Sequence, residues 1–265
     1  MDARREIVNG FYNGYFEDTR LVRTRQGQLE RLTTMHYVDK YAPEGCSIIE
    51  LGAGTGGYSI PLAKAGHKVT AVELAEKNFE LLCENGRGVK NLTAVHGDAL
   101  DLSRFADGSF DLTLVFGPMY HVYDEAERMT VLREAVRVTK PGGVIITAFL
   151  SIHAIMYDNY LQNNFEAGLI ENFTPDYTVK HFAEQIFTGY NIDELEAQFD
   201  CLPVDHITTA AADGMLELAS GRSDFALSDE DFARFADYHL HHCERRELLG
   251  LSSHLIHICR KRKDK

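Results

Sequence analysis

The chain has 265 residues, of which 40 are acidic and 27 are Lys or Arg, giving a formal charge of −13, and 45% are hydrophobic. That balance is globular and excludes a disordered chain. The longest apolar run, 143–150, falls well short of the roughly 20 residues a membrane helix requires. The first residues lead into no secretory h-region, and the five cysteines form no Cys-x-x-Cys pair. A disulfide framework and a thiolate zinc site are therefore not expected, and the cytoplasm is the default location. Ten of the thirteen net negative charges fall between Ser151 and Asp213. The opposite bias appears only in the last six residues, where Arg260, Lys261, Arg262, Lys263 and Lys265 form a basic tail, so a nucleic-acid partner is not expected.

In chain order, residues 1–45 read as a helical extension carrying aromatic residues at Phe11, Tyr12, Tyr15 and Phe16. From residue 46 to about 150, short β-branched runs alternate with helical periodicity, the pattern of a parallel sheet covered by helices. The runs are Ser47–Leu51, Lys68–Val72, Leu92–His96, Phe110–Phe116 and Gly143–Phe149. Between them, Ala75, Phe79 and Leu82 share one helical face, as do Met129, Leu132 and Val136, and Pro141-Gly142-Gly143 ends the latter helix. Two further strands are predicted at Leu202–Thr209 and Ser252–Arg260. Asn191 with Glu194, and Ser228 with Asp231, read as helix starts, the second helix running to about Arg246. The chain is thus one α/β domain over 46–265, with helical insertions at about 151–190 and 212–248.

The segment Glu50-Leu-Gly-Ala-Gly-Thr-Gly-Gly57 joins the first strand to a helix. Its glycines let the backbone turn sharply and a ligand approach without Cβ interference. Gly52, Gly54 and Gly57 satisfy G-x-G-x-x-G, so a dinucleotide site and a nucleoside site fit equally well. Glu73, 21 residues beyond Gly52, can accept from ribose hydroxyls in either case. Three features separate the two. Glu50 suits a ligand ammonium better than a pyrophosphate, Asp98 in His96-Gly-Asp-Ala-Leu can accept from an adenine amino group, and the fourth strand runs into Gly117-Pro-Met-Tyr-His121.

With these motifs the chain resembles the class I S-adenosylmethionine-dependent methyltransferases, in particular the bacterial small-molecule subset with Gly-Pro-x-Tyr-His after strand four. The resemblance implies S-adenosyl-L-methionine as cofactor, S-adenosyl-L-homocysteine as product, and a doubly wound, Rossmann-like sheet of seven strands. The implied order is 3-2-1-4-5-7-6 with the last strand antiparallel, flanked by an N-terminal helical extension and helical lid insertions. It further implies that Glu50, Gly52, Ala53, Gly54 and Gly56 hold the methionine part, Glu73 and Leu74 the ribose, and Asp98 and Ala99 the adenine. Phe116 and Gly117 would offer carbonyls to the methionine ammonium.

Methyl transfer from a sulfonium is an in-line displacement whose leaving group needs no proton, so alignment is the enzyme's main contribution. A base is needed only if the acceptor must lose a proton. His121, beside Tyr120, is the expected one. Tyr12, Tyr15, Arg20 and Tyr157 are the expected acceptor-side residues, with Arg23 and Arg31 further candidates for an anionic group. The acidic, aromatic-rich insertion suits a neutral or cationic small-molecule acceptor. His239, Cys243 and the later His254, His257 and Cys259 are metal-capable, but Phe232, Phe235, Ala236, His239 and Cys243 share a helix face, which favours packing, and no metal is expected. A monomer or homodimer is expected. An NAD-dependent oxidoreductase, a non-catalytic S-adenosylmethionine-binding subunit and a methyltransferase of RNA or protein remain alternatives on sequence alone.

Overall fold

A computed structural model describes residues 3–14, 17–182 and 185–263. Eight strands form one sheet: β1 (Ser47–Leu51), β2 (Lys68–Glu73), β3 (Leu92–His96), β4 (Phe110–Val115), β5 (Thr139–Ser151), β6 (Gly189–Tyr190), β7 (Val204–Ala211) and β8 (His254–Lys261). The order is 3-2-1-4-5-8-7, with the two-residue β6 paired to the end of β5. Setting β6 aside, this is the expected order, and β8 is antiparallel to both β5 and β7. A sequence reading passes over β6 because two residues carry no alternation. Both faces of the sheet are covered by helices, so the central strands are continuously apolar: Ile48, Ile49, Leu112, Leu114, Ile146, Phe149, Leu255 and Ile258 are fully buried. Each such side chain contributes roughly 1.5–3 kcal/mol relative to exposure.

The helices are α1 (Ala3–Gly14), α2 (Arg20–Arg23), α3 (Arg25–Tyr41), α4 (Ser59–Lys64), α5 (Glu76–Asn85), α6 (Pro118–His121), α7 (Glu125–Val138), α8 (Ile152–Ile155), α9 (Phe165–Asn172), α10 (Ile192–Ala197), α11 (Leu216–Ser220), α12 (Asp229–His242) and α13 (Arg246–Leu249). Caps explain several starts. Thr24 accepts from the Gly27 N–H at 3.1 Å, Asp124 from Glu127 at 3.0 Å and Ser228 from Asp231 at 3.1 Å. At α10 the expected box does not form. Asn191 makes no side-chain cap bond, and Glu194 instead meets His181 Nε2 at 2.5 Å. The helix after Ser228 stops at His242, short of Arg246, and α13 is separate.

The Lys140-Pro-Gly-Gly segment differs from its expected role as a turn before the fifth strand. β5 already pairs through Thr139 with Phe110, and then resumes at Val144 with Leu112, so residues 140–143 bulge from a strand begun earlier. Beyond the sheet, residues 156–160 form a π turn that follows α8 directly. Among the described residues, no helix is long and apolar enough to cross a membrane.

Candidate active site

The β1–α4 loop lies at the carboxyl ends of the parallel strands, where open α/β sheets bind ligands. Gly52 has φ +78°, and a Cβ there would stand 2.5 Å from the Phe116 carbonyl oxygen. Glycine is thus required by both backbone and neighbour. A cavity of about 350 Å³ opens over this loop, lined by Glu50, Gly52, Ala53, Gly54, Gly56, Glu73, Leu74, Asp98, Ala99, Phe116 and Gly117 among others. All eleven expected cofactor residues therefore converge on one space.

Glu73 does two jobs in this wall. Its carboxylate accepts from the Gly54 and Ala75 N–H groups, each at 2.7 Å, which pins the glycine loop to the end of β2. Burial lifts its carboxyl to about 7 despite those bonds. Glu50 is fully buried, hydrogen-bonded by the Ser59 hydroxyl, and lifted by burial to about 8. Two buried acids of high pKa with no basic partner in contact among the described residues match a cationic, hydroxyl-rich ligand. The donor set and the glycine cradle fit the methionine and ribose of S-adenosylmethionine. Asp98 carries an ion pair absent from the sequence reading: Arg4 of α1 binds its Oδ2, and its Oδ1 accepts the Leu100 N–H at 3.0 Å. The Gly117 carbonyl accepts the Tyr120 N–H at 3.3 Å as α6 begins.

A second cavity of about 440 Å³ adjoins the first. Asp158, Asn159 and Tyr160 of the π turn line it, with Glu171, Asn172, Gln185, Phe187, Glu217 and Ser253. Burial lifts Asp158 to about 6, with the nearby Glu217 charge adding to it. Neither acid has an ion-pair partner among the described residues. Tyr12, Glu17, Arg20, Tyr120 and His254 line both cavities.

Several expected roles change here. Tyr157 lines neither cavity. Asp158, Asn159 and Tyr160 of the π turn line the mouth of the second cavity, whereas Tyr157, exposed like its two successors, stacks on His153 at 6.5 Å. Arg20 is not open to an acceptor anion, since Glu17 and Glu30 take its guanidinium at 2.6–3.0 Å. Arg31 reaches the first cavity, while Arg23 is exposed and lines neither. Tyr15 lies outside the described residues. His121 is buried between two partners: its Nδ1 donates to the Ile186 carbonyl at 2.7 Å, so its Nε2 accepts from the Tyr12 hydroxyl at 2.9 Å. Burial lowers it to about 4, which removes the near-neutral basicity its sequence position suggested. Tyr120 is pushed up by burial and stays a phenol.

The region is closed by a charged network that no local motif announces. His254, at the start of β8, donates from Nδ1 to Asp213 Oδ2 at 2.7 Å, with Glu30 Oε2 at 3.7 Å. Asp213 is wholly buried and is also held by Ser252 at 2.6 Å and Gln26 at 2.7 Å. Burial opposes charge on both, yet Glu30 and Asp213 hold His254 up to about 9, and His254, Ser252 and Gln26 keep Asp213 below the usual carboxylate range. Ligand-capable atoms of Glu30, Asp213 and His254 lie within 4.8 Å of one another. Arg20 and Gln26 donate into those carboxylates, so the group is built as an ion network. The other metal-capable cluster is packing: His239 Nε2 donates to the Ala211 carbonyl at 3.0 Å, and Cys243 meets the Tyr37 hydroxyl at 3.3 Å.

Comparison with known proteins bears on this geometry. Residues 49–147 match the family described as "Methyltransferase domain". A demethylmenaquinone methyltransferase of Staphylococcus aureus is 34% identical over 107 residues, 39% of this chain and 42% of the relative. The chain thus matches less than half the length of that curated relative. Among solved structures, an S-adenosylmethionine-dependent methyltransferase from Thermotoga maritima, given as a possible histamine N-methyltransferase, aligns over 98% of this chain and 100% of its own, with TM-score 0.59 and 18% identity. Phosphoethanolamine N-methyltransferase 1 of Haemonchus contortus, solved with phosphoethanolamine and S-adenosylhomocysteine, aligns over 100% of this chain and 50% of its own, with TM-score 0.61 and 15% identity. Residues 49–147 are thus similar to a methyltransferase domain, and the whole chain shares the fold of solved S-adenosylmethionine-dependent methyltransferases.

Proposed function

We propose that the protein transfers the methyl group of S-adenosylmethionine to a small-molecule amine. The observation that carries this reading is the pair of adjoining cavities. The first has the glycine cradle and buried acids suited to the cofactor, and the second has the size of a small metabolite. Within that reading, Glu50 holds the cofactor ammonium, Glu73 the ribose, and Asp98 with Ala99 the adenine.

The acceptor class follows from charge. In the second cavity Arg20 and His254 are already neutralised by Glu17, Glu30 and Asp213, whereas Asp158 and Glu217 have no ion-pair partner among the described residues. Those two acids and the rings of Tyr160 and Phe187 favour an ammonium over an anion. The catalytic contribution is alignment across the shared wall, with Tyr12 and Tyr120 shaping the passage between donor and acceptor. The free state of all five cysteines supports a cytoplasmic location, because a reducing compartment keeps thiols reduced.

The reading is tested in two steps. Calorimetry should show S-adenosylhomocysteine binding far more tightly than NAD. Radiolabelled methyl transfer should then proceed to a panel of small amines including histamine and phosphoethanolamine. Turnover of carboxylates or phosphate esters lacking an amine, in preference to that panel, would reverse the acceptor assignment.

A further inference from the structure

Methyl transfer takes place where donor and acceptor meet, so the reacting atoms lie at the wall common to the two cavities. Of the five residues there, four are committed. Arg20 and Glu17 pair with each other at 2.9 Å, and the Tyr12 hydroxyl is engaged with His121. Tyr120 stays a phenol because burial raises it. The fifth, His254, is different. Its Nδ1 is fixed against Asp213, while its Nε2 has no hydrogen-bond partner among the described residues. A carboxylate behind one ring nitrogen orients the imidazole and leaves the other nitrogen to exchange a proton.

We propose that His254, held by Asp213, is the base that takes the proton an ammonium acceptor must lose before it can be methylated. This rests on the amine reading above. In the step, an acceptor N–H proton passes to Nε2 and its bonding pair becomes the nitrogen lone pair. That pair forms the N–CH3 bond as the S–CH3 bond breaks, and sulfur keeps the electrons of the broken bond. The imidazolium then returns its proton to solvent through the second cavity. The match is chemical as well as spatial: His254 at about 9 lies within reach of an alkylammonium, at about 10. His121, at about 4, is far too weak a base for that transfer. The charged groups around the imidazole are Asp213 from the turn after β7, Glu30 from α3 and Arg20 from α2, with Asp158 and Glu217 across the cavity. Asp213 is the positioning residue and Glu30 assists it.

The test is the pH profile of kcat from 6 to 10, with the amine panel, in wild type, D213N and H254Q. Wild type should rise about tenfold per unit at low pH and level off near 9. D213N should move that break down by more than one unit, a displacement that the acceptor's own titration cannot produce. H254Q should lose the break and about a hundredfold in kcat, while binding S-adenosylhomocysteine within threefold of wild type. An acceptor-free measurement runs alongside: in ¹⁵N-histidine spectra of the S-adenosylhomocysteine complex, the signal missing in H254Q should titrate near 9, and lower in D213N. Turnover with an unchanged H254Q profile, or a His254 signal titrating below 7, overturns the proposal alone. Tight S-adenosylhomocysteine binding with no turnover of any amine overturns the amine reading, and the proposal with it.

Discussion

Glu50 and Glu73 show how one residue type takes different duties from its surroundings. Both are buried acids, but Glu73 spends one lone pair on each of two backbone N–H groups, whereas Glu50 has the Ser59 hydroxyl. A Glu73→Gln variant has one accepting oxygen in place of two, so it must release either the Gly54 or the Ala75 N–H and loosen the cavity wall. Loss of a charge-assisted bond of about 1.5–3 kcal/mol predicts S-adenosylhomocysteine affinity lower by roughly ten- to hundredfold in calorimetry. Glu50, lifted to about 8, is mostly protonated at pH 7 before ligand arrives. A bound ammonium favours its charged form. Binding at pH 7 should therefore release a proton, visible as a dependence of the measured enthalpy on buffer ionisation enthalpy. Glu50→Gln should abolish that dependence.

At the scale of elements, the glycine loop and the strands were legible because their signals are local. Period-two or continuous apolar runs and glycines at a strand-to-helix junction need no knowledge of distant residues. Gly52→Ala tests the tightest point of that junction. With φ at +78° and the Phe116 carbonyl 2.5 Å from the new Cβ, the change should cost about 1–3 kcal/mol in denaturant unfolding and weaken cofactor binding. What stayed hidden was of two kinds. The π turn shifted the phase of residues 156–160, so Asp158 and Tyr160 line the second cavity where Tyr157 was expected. The network of Arg20, Gln26, Glu30, Asp213 and His254 joins residues up to 234 positions apart, and each alone reads as an ordinary polar residue. His121 shows the converse case: the sequence points to it and it lines the first cavity, but its burial and its two partners, which decide its basicity, come from other elements.

For the molecule as a whole, the pKa shifts set how stability responds to pH. Glu50 at about 8, Glu73 at about 7 and His254 at about 9 all hold protons more tightly folded than unfolded. Below about 6.5 they are offset by His121 at about 4 and His257 at about 3, which act in the opposite sense, so stability falls as pH rises from about 6.5 to about 9. The part due to His254 is complete below its unfolded value near 6.5 and is lost through 9. Asp213, held low, acts in the opposite sense, and its contribution is lost only when the pH drops into the acid range. The melting temperature should be higher at pH 6 than at pH 9 by about 5 °C or more, and scanning calorimetry of the ligand-free protein checks it. In Asp213→Asn the part of that difference lying above pH 6.5 should shrink, because His254 then loses its partner.

The first helix adds a dimension of time. α1 is fastened along the first cavity by Arg4 to Asp98, by Asn9 to the Glu76 N–H at 3.0 Å, by Lys77 to the Asn13 carbonyl at 2.8 Å and by Tyr12 to His121. Under the proposed methyl transfer, these ties of α1 to the cavity wall predict that spent cofactor departs more slowly than methylated acceptor. The strap would then act as a clock on each cycle: a pre-steady-state burst of methylated product should precede a slower steady rate, and loosening the strap with Arg4→Ala should quicken that steady rate even as it weakens cofactor binding.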